Sequence, residues 1–118
     1  MVFAVDFYRD KASFKLERFG IFGDYSIAFR FSKFLKTCFY SSSVCKVPVR
    51  QFLNERFEHP ISVCRVVGTK RVPLGYFKTV DCADTFIHFY SAAYPYTKLI
   101  IIDHGMPTST LDSESTLF

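Results

Sequence analysis

The chain has 118 residues, a net charge of +4 and a composition that is 49% apolar and 22% charged. That length suits one domain with one core, and the apolar content excludes a disordered chain. No apolar run approaches the ~20 residues of a membrane-spanning helix; Leu99-Ile100-Ile101-Ile102 is only strand-sized.

Residues Val2 to Tyr8 alternate, with Phe3, Val5 and Phe7 on one side, and predict a half-buried strand. Ser13 to Phe19 reads as a second strand with Phe14 and Leu16 inward; Gly20 and Gly23-Asp24 supply turns. Tyr25 to Phe31 alternates again, Ile27, Phe29 and Phe31 against Ala28 and Arg30, and predicts a third strand. Ser41 to Ser43 reads as a loop. Pro48 opens a helix reaching Glu58, with Val49, Phe52, Leu53 and Phe57 inward, and His59-Pro60 stops it. Ile61 to Val67 and Val72 to Val80 are strands joined by a hairpin at Gly68-Thr69-Lys70-Arg71; Pro73 and Gly75 mark the second as an edge or bulged strand. Asp81 caps a second helix whose inner face is Ala83, Phe86, Ile87, Tyr90 and Tyr94, ending at Pro95. Lys98 to Asp103 is apolar on both faces and predicts a central or intersubunit strand. Residues 106–118 form a Ser/Thr-rich acidic tail after a body of residues 1–105.

The order β-β-β-α-β-β-α-β implies a two-layer α+β domain, mostly antiparallel, with no internal repeat. The N-terminus lacks the regions of a secretory leader. Cys38, Cys45, Cys64 and Cys82 are therefore expected as reduced thiols, in the cytoplasm or the nucleus.

Fifteen phenylalanines and seven tyrosines raise the question of a stacking platform. The densest stretch runs from Phe29 to Lys36. On a strand, period 2 puts Phe29 and Phe31 opposite Arg30, which favours a core over a platform of rings with adjacent cations. What remains of a nucleic-acid surface is then the cations Lys15, Arg18, Arg30, Lys33, Lys36, Lys70 and Arg71, which can meet RNA phosphates.

Other motifs are sparse. The C-terminal Thr116-Leu117-Phe118 fits the pattern by which a PDZ groove captures a terminal carboxylate, with Thr116 and Phe118 as its anchors. Cys38, Cys45, His59 and Cys64 have looser spacing than zinc knuckles. Cys82, Asp103 and His104 supply nucleophile, orienter and base on paper, without a nucleophile elbow or an oxyanion-hole signature. Neither metal nor cofactor is expected.

The expectation is a non-enzymatic protein-interaction module that self-associates through Phe29, Phe31, Phe34, Leu99 and Ile101, because so many rings exceed one small core. RNA binding through the basic N-terminal half is the alternative, and a hydrolase around Cys82, His104 and Asp103 the third. Asn54 is the sole asparagine and Gln51 the sole glutamine. That coding bias suits a positive-strand RNA virus, and hence a viral accessory protein acting on host machinery as a homodimer.

Overall fold

The computed structural model describes residues 2–12, 14–39, 41–47, 51 and 56–104. Strands β1 (Val2–Tyr8) and β2 (Glu17–Phe22) precede helix α1 (Tyr25–Cys38). Strands β3 (Ser41–Val47), β4 (Ile61–Val67) and β5 (Lys70–Phe77), helix α2 (Val80–Ala93) and strand β6 (Leu99–Asp103) follow. The six strands form one antiparallel sheet in the order β3-β1-β2-β5-β4-β6. Both helices pack on one face, so the fold is the expected two-layer α+β domain.

The order hides a duplication that the sequence reading denied. Units β1-β2-α1-β3 and β4-β5-α2-β6 repeat the same ββαβ path, each with its first strand in the middle. The sheet order reads the same from either edge, about a pseudo-twofold axis between β2 and β5. There Gly20 pairs with Phe77, Ile21 with Tyr76 and Phe22 with Gly75, a register that maps onto itself. Phe19-Gly20-Ile21-Phe22 corresponds to Leu74-Gly75-Tyr76-Phe77, and the spacing persists through both helices. Asp24 and Thr79 are the equivalent N-caps, Phe39 and Tyr94 the equivalent C-caps. Three phenylalanine pairs meet their own counterparts along the axis: Phe22–Phe77 at 5.6 Å between centroids, Phe31–Phe86 at 5.2 Å and Phe34–Phe89 at 5.5 Å. Aromatic packing of this kind adds about 0.5–1.5 kcal/mol per pair beyond area burial.

The segment Tyr25–Phe31 is helix, not strand. Ile27 and Phe31 satisfy both periods, being four apart; the neighbours decide. Ala28, Phe31, Ser32 and Leu35 are the buried positions, at helical spacing, while Phe29 is 41% exposed. Asp24 caps the start, its Oδ1 accepting from the Ser26 N–H at 2.7 Å and from the Ile27 N–H. Ser41–Ser43 is the start of β3, not a loop. Ser42 Oγ accepts from Ser32 Oγ and donates to the Asp6 carbonyl, both at 3.0 Å, tying the helix to the edge strand.

The second strand lies later than expected. Phe14 is 99% exposed and Leu16 is exposed, and neither belongs to β2. A bulge in β2 at Phe19, opposite the Val5/Asp6 step of β1, lets Phe19 and Phe22 both reach the helix side. Gly20 is a strand residue beneath Phe77 rather than a turn. In the β4–β5 hairpin the turn is Gly68-Thr69, with Gly68 at φ 61, and Lys70 and Arg71 already belong to β5. The bulge expected at Pro73 and Gly75 is present opposite Val63/Cys64, but β5 is central rather than an edge. Thr79, not Asp81, caps α2, and Asp81 sits in its first turn. Of the helix expected between Pro48 and Glu58, Val49, Phe52 and Leu53 lie outside the described residues. Phe57, in a helical turn at 56–58, is exposed rather than inward.

Candidate binding surfaces

Three regions gather the side chains capable of chemistry or recognition. The first is the outer side of α1. Within the helix there is no Asp or Glu, and Tyr25, Phe29, Lys33 and Lys36 follow one another at four- and three-residue steps. The Tyr25 and Phe29 rings stack with centroids 5.8 Å apart and planes within 15°. Lys33 Nζ lies 4.7 Å from the Phe29 centroid. Tyr25 in turn packs on the edge of Phe3, and Lys46 of β3 stands across from Phe3 in the sheet register. Rings and cations thus share one surface, contrary to the separation expected from a strand. Arg30 points the other way, toward α2, donating to the Tyr94 hydroxyl at 2.7 Å.

The second region is the sheet face away from the helices. On the first repeat it carries Asp6, buried and accepting from Arg18 Nε at 3.0 Å, with the Cys45 thiol donating to its other oxygen at 3.3 Å. Burial, then the hydrogen bond to Asp6, pushes the Cys45 thiol up from its ordinary value. On the second repeat a cavity of about 340 Å³ is lined by residues including Arg56, Ser62, Cys64, Arg71, Tyr76 and His104. The Arg56 guanidinium covers the Tyr76 ring at 4.2 Å, and Ser62 Oγ lies 3.1 Å from His104 Nε2. Burial and then the Arg56 charge hold His104 below the usual imidazole value, while burial raises the Cys64 thiol. A hydroxyl and an imidazole in contact resemble a nucleophile and its base, but Asp103 faces the opposite side of β6 by strand alternation.

The third region is the outer edge of β6. The Lys98 carbonyl accepts from Val66 and the His104 N–H donates to Pro60, so even-numbered residues turn their backbone groups toward β4. Leu99, Ile101 and Asp103 therefore direct theirs outward, where no strand follows among the described residues. Ile101 is 37% exposed.

Several expected groupings dissolve. Phe31 is fully buried and cannot meet a partner; Phe34 and Leu99 pack partly into the core. Phe29 and Ile101 are exposed, on different parts of the molecule. The seven expected RNA contacts do not form one surface. Arg18 belongs to the helix-free face, Lys70 and Arg71 to the start of β5, Lys15 to the loop before β2, and only Arg30, Lys33 and Lys36 to α1. Cys82 lines a cleft with Arg9, Glu17 and His59, whereas His104 lines a separate cavity. Cys38 is exposed at the end of α1, and no cluster of three His, Cys, Asp or Glu side chains able to hold a metal occurs among the described residues. Thr116 and Phe118 lie outside the described residues. No described helix is long and apolar enough to cross a membrane.

Sequence reasoning missed two features. Lys46 was unremarkable in the chain and becomes notable only opposite Phe3. The duplication left a signal, Ala-x-x-Phe-x-x-Phe at Ala28 and again at Ala83, each preceded by Gly-x-Phe. No family model, curated protein or solved structure matches the chain.

Proposed function

We propose that the protein is a non-enzymatic interaction module that self-associates through the outer edge of β6. One observation carries the reading: the contrast between the two edges of a duplicated sheet. The edge strand of the first repeat, β3, reads Ser-Ser-Ser-Val-Cys-Lys-Val, polar along its first half and carrying a lysine of the kind that blunts an edge. Its counterpart β6 reads Leu-Ile-Ile-Ile-Asp and carries no Lys, Pro or bulge across its apolar run. An unprotected apolar edge is a template for another strand.

A second copy fits that template with the operation the chain already uses internally. The repeats join as antiparallel edges about an axis normal to the sheet. The same operation centred on Ile101 sets Ile101 against itself, Ile100 against Ile102, and Leu99 against Asp103 of the other copy. The outward N–H and C=O of Ile101 then meet those of its own counterpart, Leu99 comes opposite Asp103, and one sheet runs through both copies with all helices on one side. Such a dimer presents two α1 surfaces, which suits a scaffold for a further partner. The coding bias supports a viral accessory protein as the setting for this module.

Light scattering tests the assembly. The parent is expected at dimer mass at micromolar concentration and Ile101→Lys, folded by circular dichroism, at monomer mass. A parent at monomer mass at every soluble concentration would defeat the reading.

A further inference from the structure

The duplication supplies an internal control for α1. Tyr25, Phe29, Lys33 and Lys36 occupy the positions that α2 fills with Val80, Asp84, His88 and Ser91. Both helices have 14 residues and pack on the same sheet face through equivalent phenylalanines. Folding therefore does not require two rings and two ammonium groups on this stripe; the second repeat folds with a carboxylate, an imidazole and a hydroxyl there.

The stripe is instead suited to a ligand. Tyr25 is 52% exposed and Phe29 41%, and their rings are nearly parallel, one helical turn apart with centroids 5.8 Å from each other. Lys33 Nζ lies against Phe29, Lys36 follows one step further along the helix, and Lys46 stands across the sheet from Phe3, on which Tyr25 packs; the helix itself carries no carboxylate. An acidic protein surface would use the cations but has no use for the flat faces. A duplex would offer phosphates but keep its base faces within its own stack. An unpaired strand offers both at once. We propose that this stripe binds single-stranded nucleic acid, with bases on the Tyr25–Phe29 platform and phosphates at Lys33, Lys36 and Lys46. The site lies on the first repeat, and β6 ends the sheet at the far edge, so binding here stands independently of assembly there.

Fluorescence anisotropy of the full chain with labelled oligo(U) and oligo(dT) of about 12 nucleotides tests it. Three phosphate contacts on a single strand give a log–log salt slope near −2, so affinity falls about twentyfold between 50 and 200 mM salt. Oligo(U) binding alone assigns RNA as the ligand; binding of both assigns single strands generally. The triple variant Phe29→Asp, Lys33→His, Lys36→Ser copies α2 and is expected to fold, to bind at least about tenfold more weakly and to show a slope near −0.7. Phe29→Leu keeps the cations and apolar bulk but removes the flat face; it is expected to weaken binding roughly tenfold with the slope unchanged. If the triple variant does not fold, Phe29→Leu and Lys36→Ser carry the test. The proposal is overturned by absence of saturable binding to either strand at 50 mM salt, or by equal affinity of the parent and the folded variants. It is also overturned if a poly-glutamate peptide of similar length binds as tightly as the oligonucleotides.

Discussion

Replacing Gly20 or Gly75 with alanine strikes the seam between the two repeats. A Cβ on Gly20 would lie 2.7 Å from Phe77 Cε1, 2.8 Å from its Cδ1 and 3.0 Å from the Tyr76 carbonyl oxygen. A Cβ on Gly75 would lie 2.7 Å from Phe22 Cε1 and 2.9 Å from its Cδ1. Comfortable carbon contacts begin near ~3.5 Å. Neither ring can retreat: Phe22 and Phe77 are buried, touch each other, and both touch Phe86. Overpacking costs about 1–3 kcal/mol, and alanine's lower backbone entropy in the unfolded chain offsets about 0.5–1 of it. The net cost is about 1–2 kcal/mol for either variant, a fall of roughly 4–8 °C in Tm for a domain of this size. Gly23 is the control: a Cβ there meets nothing within 4 Å and the backbone needs no positive φ. Gly23→Ala should leave Tm unchanged or raise it slightly, by about 0.4–1 kcal/mol of stability. Thermal and urea unfolding of the three variants decide the matter. A Gly20→Ala protein as stable as the parent would refute the close seam, and markedly unequal costs at Gly20 and Gly75 would refute its symmetry.

Three further outcomes follow from the same structure. Removing the equivalent caps by Asp24→Ala or Thr79→Ala should cost about 1 kcal/mol each in urea unfolding, because each side chain accepts from first-turn N–H groups. His104 is held below its unfolded value, so its contribution is fully present above the unfolded imidazole pKa and is lost as pH falls toward the folded one. Tm should therefore decline on acidification below about pH 6.5, and His104→Gln should flatten that decline; an unchanged slope would contradict the assignment. Alkylation by iodoacetamide followed by mass spectrometry should modify exposed Cys38 first and buried Cys64, whose thiol burial pushes up, last.

The second half of the chain was the more legible because its patterns are unambiguous. The Ala83/Phe86/Tyr90 face keeps helical spacing, Gly68 marks the hairpin turn, and the Ile61–Val67 and Leu99–Ile102 runs are short, β-branched and bounded by breakers. The first half misleads for physical reasons. Ile27 and Phe31 fit a strand and a helix equally, and Phe14 and Leu16 are apolar yet exposed. The β2 bulge breaks the alternation that would have located Phe19 and Phe22. Reading α1 as a strand also concealed its match to α2, and with it the duplication. The lysines of the α1 stripe were visible from the start. Their place beside Phe29 follows only from a helical turn, and that of Lys46 only from pairing across the sheet.

Amide hydrogen exchange along β6, followed as a function of protein concentration, tests the assembly most directly. The even-numbered amides of Ile100, Ile102 and His104 face β4 and should be protected at any concentration. Those of Leu99 and Ile101 face outward. They are expected to be protected when the protein is concentrated and to exchange freely on dilution, and Ile101→Lys is expected to abolish their protection. Outward amides that exchange equally fast at all concentrations would contradict it, as would outward amides protected equally at all concentrations and in the Ile101→Lys variant.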